Sequence, residues 1–263
     1  MSDVSNPAAP SAPIPILLYH SVRDEPLADM ARWTVSPATF DDQIRRIVDA
    51  GRTAVTVSEL AAALRGERML PDRPLVVTFD DGFLDTLGAV DALLAASIPA
   101  TVYVTAAYLA QPGMMQPDDV TRLGASPGVE LGAHGMTHRR LDELTTEHVR
   151  RELVGSQRLV ADLTQRPCQT FAYPHGSHDR RTLEVARESG YASAVAVKNA
   201  LSHVLDDPFA LARVTVERGS GTATVERALD GTLPVVRPGE RARTRAYRTV
   251  RRLARCATLR AAS

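Results

Sequence analysis

The sequence predicts an α/β fold, a distorted (β/α) barrel of about seven strands in a single domain. Short apolar runs alternate with amphipathic helical patterns through most of the 263 residues, which is typical of parallel strands joined by helices. Neither an internal repeat nor a linker-like segment divides the core. Hydrophobic residues make up 44% of the chain, enough to fill the interior of one closed or nearly closed barrel.

The elements can be assigned in order along the chain. The run 74–79 is apolar almost throughout, as expected of a parallel strand covered on both faces. Ser36-Pro37 places an N-cap residue before a proline at the first helical position, and an apolar stripe follows at Phe40, Ile44, Ile47 and Val48. The other predicted strands are 14–19, 54–57, 100–104, 129–133, 170–173, 191–197 and 211–216. Helices are predicted after Ser36 and Ser58, over 84–96 and 145–163, and after Asp179.

Two terminal segments flank the predicted barrel, which spans 14–236. Residues 1–13 are rich in Pro, Ala and Ser and are expected to be a disordered lead-in. Residues 237–263 form an Arg-rich tail, expected to be helical, with eight arginines after its single acid, Glu240. The tail could contact an anionic membrane or a protein, or pack on the barrel with its basic face in solvent. The whole chain has 31 basic and 31 acidic residues, so no nucleic-acid partner is expected.

Cysteine usage and hydropathy favour a cytoplasmic protein. Cys168 and Cys256 are far apart, which excludes a disulfide framework, and neither has metal-site spacing. The N-terminal residues lack the basic stretch and long apolar run of a secretory signal. No segment approaches the roughly 20 apolar residues of a membrane span.

Asp80-Asp81-Gly82 directly follows the most apolar predicted strand. The carboxyl ends of parallel strands are where ligands and catalytic groups gather in such folds. Neighbouring carboxylates point in different directions there, so one could bind a metal while the other takes a proton from water. The alternative is a helix N-cap beside a solvated acid in a turn.

His134 and His138 follow another predicted strand, separated by Gly-Met-Thr. Histidines four positions apart can converge on one ion, although two surface histidines give the same spacing. Two imidazoles and one carboxylate make a three-ligand site with room for water and substrate, which suits zinc and is possible for other divalent metals. The second carboxylate could then act as a general base.

Four motifs occur in order at suitable intervals: Leu18-Tyr19-His20, Thr78-Phe79-Asp80-Asp81-Gly82, His134-x-x-x-His138 and Phe171-Ala172-Tyr173-Pro174-His175-Gly176. On these motifs the chain resembles the polysaccharide deacetylase family, also called the NodB-homology group or carbohydrate esterase family 4. The resemblance covers roughly residues 14–220. It implies a distorted (β/α) barrel and hydrolysis of N-acetyl groups, or less often O-acetyl groups, on sugars.

The resemblance also implies roles for five residues. Asp80 matches the family's catalytic base. Asp81, His134 and His138 match its metal ligands, for which Zn²⁺ is the expected ion. His175 stands where the family usually has tyrosine, at a position whose backbone N–H helps to hold the tetrahedral oxyanion.

The chain departs from the family's third motif and lacks its fourth, an acidic residue paired with a tryptophan. The arginine that pairs with the base is replaced by Ala172, and Arg213, on a late predicted strand, could substitute for it or be a surface arginine. The string Leu201-Ser202-His203 fits the family's catalytic-acid motif, but its polar surroundings indicate a loop. His20 and His175 are the rival acids.

These features predict a metal-dependent hydrolase that removes N-acetyl groups from an amino sugar or glycan. The same site could hydrolyse O-acetyl esters on sugars, since an ester leaving group needs less help from an acid. A non-catalytic sugar-binding barrel is the third possibility, although binding alone requires no base beside a metal. Trp33, the single tryptophan, could stack on a sugar ring or pack against the barrel end.

Overall fold

The computed structural model describes residues 13–235, in which strands and helices alternate. The predicted tail and all but the last residue of the predicted lead-in lie outside this range. The strands are β1 (Ile16–Tyr19), β2 (Ser21–Val22), β3 (Thr34–Val35), β4 (Thr53–Ala54), β5 (Pro74–Phe79), β6 (Ala100–Val104), β7 (Val129–Ala133), β8 (Thr170–Ala172), β9 (Ser193–Val197) and β10 (Leu211–Thr215). The helices are α1 (Pro37–Asp49), α2 (Val57–Leu64), α3 (Thr86–Ala95), α4 (Pro117–Ala125), α5 (Thr146–Thr164), α6 (Arg180–Glu188) and α7 (Gly221–Leu229).

Seven parallel strands close into a barrel. Their order is β1, β10, β9, β8, β7, β6 and β5, and β5 pairs back with β1, for example at Tyr19 and Phe79. β4 adds two residues beside the start of β5, and β2 pairs with β3 in a separate small sheet. The predicted α/β barrel of about seven strands is confirmed. Because the seven strands run in one direction, their carboxyl ends meet at the same end of the barrel.

The barrel interior changes from apolar to polar along the strands. Near their amino ends the inward side chains are apolar, among them Val76 on β5 and Leu211 on β10. Side chains alternate across a strand, so the next inward positions are Thr78 and Arg213, which are hydrogen-bonded to each other inside the barrel. The polar half of the interior therefore lies toward the carboxyl ends, where the sequence placed its motifs.

The predicted strand 54–57 is wrong beyond its first residue. β4 ends at Ala54, and Thr56, not Ser58, is the N-cap of α2. The Thr56 hydroxyl accepts from the Glu59 N–H, while the Glu59 carboxylate accepts from the Thr56 N–H. This reciprocal pair of hydrogen bonds is a capping box, and it starts the helix before the strand can extend.

α1 begins where it was predicted, but its buried face differs by one residue. Its N-cap, Ser36, accepts from the Thr39 N–H at 3.2 Å. Val48, predicted in the apolar stripe, is 54% exposed. Gln43 is buried instead and accepts a 2.9 Å hydrogen bond from the Tyr19 hydroxyl. This hydrogen bond satisfies the amide oxygen of Gln43, whereas its Nε2 is buried without a hydrogen-bond partner in the described chain.

None of the helices between residues 13 and 235 combines the length and the apolar character that crossing a bilayer requires.

Candidate metal and catalytic site

The residues that the motifs singled out lie at or near the carboxyl ends of the barrel strands. Asp80 and Asp81 follow β5, and His134 follows β7. His175 lies in a one-turn 3₁₀ helix just after β8, and Arg213 lies in β10. Strands far apart in sequence therefore deliver these side chains to one end of the barrel.

Asp81, His134 and His138 form a compact cluster of possible metal ligands. One ligand atom from each lies within 4.8 Å of the others. Asp81 Oδ1 is 3.3 Å from His138 Nε2 and 3.5 Å from His134 Nε2. Ligand atoms about 2.0–2.1 Å from a tetrahedral ion lie roughly 3.3 Å apart. The spacing therefore fits a divalent metal ion.

The two imidazoles are held in the form that binds metals. His134 Nδ1 is 2.7 Å from the carbonyl oxygen of Ala172, and because a carbonyl can only accept, Nδ1 carries the proton and Nε2 presents its lone pair to Asp81. Burial lowers the pKa of His134. Burial, followed by the neighbouring histidines, lowers the pKa of His138 to about 3. Both rings are therefore neutral at ordinary pH, as metal ligands must be.

The Asp81 carboxylate lacks a positive partner of its own. Its Oδ1 is buried and has no hydrogen-bond donor among residues 13–235. Burial and then the charge of Asp80 raise the pKa of Asp81 to about 8. A cation at the cluster would supply the charge that keeps this carboxylate ionised, so the electrostatics fit a metal ion as well as the spacing does.

Asp80 is paired with Arg213 inside the barrel. Arg213 Nη1 donates to Asp80 Oδ1 at 2.6 Å and Nη2 to Oδ2 at 2.7 Å. Burial by itself would raise the pKa of Asp80, but the guanidinium outweighs it and holds that pKa well below the usual range of a carboxyl. Asp80 is therefore ionised throughout the neutral range.

Arg213 is a buried interior residue and not a surface arginine. Its side chain is 0% exposed, donates to Thr78 Oγ1 at 3.2 Å and lies over the Tyr103 ring at 5.5 Å. Ala172, where the resembled motif has its arginine, is buried on β8 and offers only its carbonyl, to His134. The guanidinium that pairs with Asp80 therefore comes from β10 and not from β8.

Among the rival acids, His20 follows β1 and His203 lies at the other end of the barrel. His20 Nδ1 is buried with no hydrogen-bond partner in the described chain, and burial lowers the pKa of His20 to about 4 although Asp80 opposes this. The ring lies 6.1 Å from that of Trp33. Ser202, next to His203, pairs with Ile14 ahead of β1, so His203 is remote from the metal ligands.

His175 and Tyr108 lie beside the Asp-His-His cluster. The His175 ring is 4.5 Å from that of His138. Its turn is packed tightly on β9, since a Cβ at Gly176 would lie 2.7 Å from Val197 N. Tyr108, which sequence reasoning missed, has its ring 5.5 Å from His138. Its place four residues after β6 was the only signal that could have found it.

Three site residues adopt left-handed backbone conformations without being glycine. Their φ angles are 74° at Asp81, 56° at His138 and 58° at His175. Such angles are uncommon for residues with a Cβ and cost roughly 1–3 kcal/mol each, a kind of strain that concentrates at functional sites.

A separate cavity of about 720 Å³ lies at the opposite, amino-terminal end of the barrel. Thr53, Met69, Pro99 and Glu130 are among the residues that line it. None of the motif residues borders it, so the cavity does not bear on the chemistry described above.

The fold and site define a parallel seven-stranded α/β barrel with a candidate metal site, an Asp-His-His cluster beside a buried Asp-Arg pair, and comparisons with known proteins show which family it is similar to. The family model described as polysaccharide deacetylase matches residues 67–194. The Bacillus subtilis protein YxkH, assigned by name as a polysaccharide deacetylase, is 25% identical over 214 residues, 81% of this chain and 75% of YxkH. These matches confirm the resemblance to the polysaccharide deacetylase family that the motifs indicate.

Solved structures share the fold at low sequence identity. The deacetylase PplD of Streptococcus pyogenes, in complex with acetate, has a TM-score of 0.75 at 20% identity, covering 82% of this chain and 98% of that one. A de-N-acetylase from Aggregatibacter actinomycetemcomitans has a TM-score of 0.70 at 17% identity, covering 82% of this chain and 99% of that one. Both likenesses establish the barrel.

Proposed function

We propose that this protein is a metal-dependent hydrolase that removes N-acetyl groups from an amino sugar or glycan. One observation carries the proposal: two adjacent buried carboxylates are put to different uses. Asp81 faces two neutral imidazoles, whereas Asp80 is bound by Arg213. A protein that only binds sugars has no need for an ionised base beside a set of metal ligands. The names of the relatives, a deacetylase and a de-N-acetylase among them, support an acetylated substrate.

Asp80 is the proposed general base. Arg213 fixes both of its oxygens and keeps it ionised, and Asp80 Oδ2 lies 3.6 Å from His134 Nε2, so the base borders the metal ligands. From there it can take a proton from the attacking water. When bound at Asp81, His134 and His138, a divalent cation, in our proposal Zn²⁺, lowers the pKa of water and polarises the acetyl carbonyl.

The other two steps fall to His175 and His20. The backbone N–H of His175, beside His138, is the proposed donor to the oxyanion of the tetrahedral intermediate. His20 is the proposed proton donor to the leaving amine, because its unpartnered, buried Nδ1 is free of competing hydrogen bonds in the described chain and its charge would interact with Asp80.

The test is acetate release from N-acetylglucosamine oligomers by the protein loaded with Zn²⁺. Asp80→Asn keeps the shape of the side chain but removes the base, so we expect kcat to fall by about 10²–10⁴-fold while the metal still binds. Glu147→Gln, a similar change on the exposed face of α5, serves as the control. Equal rates for Asp80→Asn and the control would overturn the proposal.

Ester hydrolysis is the second candidate, and one observation favours it. Burial lowers the pKa of His20 to about 4, which makes it a poor proton donor at neutral pH, and an alcohol leaves with less protonation than an amine does. We expect His20→Gln to reduce hydrolysis of N-acetyl sugars by about 10²-fold or more and to spare O-acetyl sugars. Parallel assays of matched N- and O-acetylated sugars measure this. Faster turnover of the O-acetylated sugar by the unaltered protein would favour the esterase.

A further inference from the structure

The loop between the two histidine ligands lies on one face of α5. We call residues 134–138 the ligand loop. Glu152 of α5 is 7% exposed, and its Oε2 accepts from the N–H groups of Met136 at 2.7 Å and Thr137 at 2.9 Å. Its Oε1 accepts from the Thr137 hydroxyl. A single carboxylate therefore receives three hydrogen bonds from the middle of the loop.

The ligand loop needs such a partner because its backbone is irregular. Gly135 and His138 both have positive φ, 83° and 56°, so the loop cannot continue the β7 ladder. On one side its carbonyls accept from the N–H groups of Ala106 and Ala107. Its own N–H groups at 136 and 137 point the other way and are satisfied by Glu152. The loop is thus held between the segment after β6 and helix α5.

A glycine on the same face of α5 lets the loop approach the helix closely. Gly155 is three residues from Glu152 and so lies on the same side of the helix. A Cβ at Gly155 would lie 2.9 Å from Met136 Sδ and 3.0 Å from its Cγ. From the opposite side, a Cβ at Gly135 would lie 3.1 Å from Glu152 Oε2. The Met136 side chain therefore packs against bare helix backbone.

We propose that Glu152 is a positioning residue for the metal site, and that the α5 face of Glu152 and Gly155 sets metal affinity by fixing His138 relative to His134. Neither α5 residue belongs to the Asp-His-His cluster. The inference rests on the proposed metal site but not on the proposed substrate. Groups that orient metal ligands typically change metal affinity by 10–100-fold when they are replaced.

Glu152→Gln is the sharpest substitution. The amide keeps the volume of the side chain but has one acceptor oxygen, and its NH₂ group would face an N–H or hydroxyl donor. We expect metal affinity to fall by about 10–100-fold. Glu147→Gln is the matched control, since Glu147 is 64% exposed on the same helix and is paired with Arg151.

Titration with Co²⁺, followed by visible absorption, measures both affinity and ligand geometry, and Zn²⁺ competition with a chelator checks the affinity. We expect the unaltered protein and Glu147→Gln to share one Kd and one spectrum, and Glu152→Gln to differ in both. If Glu152→Gln matches the control, the inference is overturned and the proposed function stands. If the unaltered protein binds no divalent cation, the proposed metal site itself fails.

Gly155→Ala keeps the inference testable should Glu152→Gln fail to fold. Alanine favours a helix interior over glycine, so the Tm of the metal-free protein should rise or hold, while the Cβ pushes Met136 and weakens Co²⁺ binding. Simple destabilisation would not move stability and affinity in opposite directions. Adding Met136→Ala should restore binding by removing the clash. Unchanged Co²⁺ affinity in Gly155→Ala would contradict the role of this face.

Discussion

Asp80 and Arg213 show at the scale of single residues how the barrel tunes one carboxylate against its neighbour. Two adjacent aspartates share nearly the same depth, yet their pKa values move in opposite directions. The difference comes from Arg213, which binds both oxygens of Asp80 and leaves Asp81 to the histidines. Pairs of titratable groups pushed apart in this way mark distinct chemical roles.

Replacing Arg213 should shift the pH dependence of the reaction. In Arg213→Met the pKa of Asp80 rises, because the burial that opposes ionisation is no longer outweighed. The base is then protonated at acidic pH, so the acidic limb of kcat/KM should move to higher pH. Arg213→Lys keeps the charge but loses the bidentate contact. Its acidic limb should therefore lie between those of Arg213→Met and the unaltered protein. A pH profile of Arg213→Met that matches the unaltered protein would contradict the pairing.

The same substitution should lower the free energy of unfolding. Breaking a buried ion pair from one side costs about 3–5 kcal/mol, and urea denaturation measures it. The folded-state pKa of Asp80 is depressed below its unfolded value of about 4, so the pair stabilises the protein above that pH and loses its effect as the pH falls further. The difference between Arg213→Met and the unaltered protein should therefore narrow below about pH 4.

At the scale of elements, Gly132 shows how tightly the strands fill the barrel. A Cβ on this β7 residue would lie 2.5 Å from the Tyr103 ring and 2.9 Å from Thr170 Cγ2. We expect Gly132→Ala to destabilise the fold by about 1–3 kcal/mol through overpacking. Gly88→Ala is the control, since Gly88 is exposed on α3 and nothing lies within 4 Å of its Cβ position. That change should be neutral or stabilising, so equal Tm shifts for the two would contradict the packing argument.

Elements with strong local patterns were predicted from sequence, and those that depend on contacts were not. The predicted strands 74–79, 100–104 and 129–133 have the bounds of β5, β6 and β7. α4 was left unassigned although Pro117 and the Gln116–Asp119 capping box begin it, because its apolar stripe is short. α7 begins at Gly221 and has no side-chain cap, so the sequence pattern that marks this helix is weak.

The same distinction between local patterns and long-range contacts applies to the residues of the site. Asp81, His134 and His138 follow strands within recognisable motifs, so their approach could be predicted. The contact between Asp80 and Arg213 joins residues 133 positions apart and depends on which strand follows which around the barrel. Strand order is not encoded in any local pattern, so the sequence left Arg213 as either the partner of Asp80 or a surface arginine. The contact of Glu152 with the ligand loop was not predicted at all.

At the scale of the whole molecule, closure of the barrel should make unfolding cooperative. Because β1 pairs with β5, the seven-stranded ring has no free edge from which to peel apart. Cys168, just before β8, is 3% exposed, and burial raises the pKa of its thiol to about 12. It can react only after the surrounding structure opens.

We expect Cys168 to be labelled by a thiol reagent only upon global unfolding. In a Cys256→Ser variant, which leaves one thiol, the urea midpoint of labelling should coincide with the midpoint of the circular dichroism transition. Reaction of Cys168 at urea concentrations well below that midpoint would show that part of the barrel opens alone, contrary to this prediction.

The left-handed backbone at Asp81, His138 and His175 has a consequence for how such a chain evolves. Glycine at any of the three would relieve the torsional strain, yet at Asp81 or His138 it would delete the carboxylate or imidazole of the proposed metal site. A single substitution there could therefore improve folding while removing a side chain that the proposed site needs. A chain optimised only for folding would favour glycine at these positions, and its barrel would keep the fold without the proposed metal ligands.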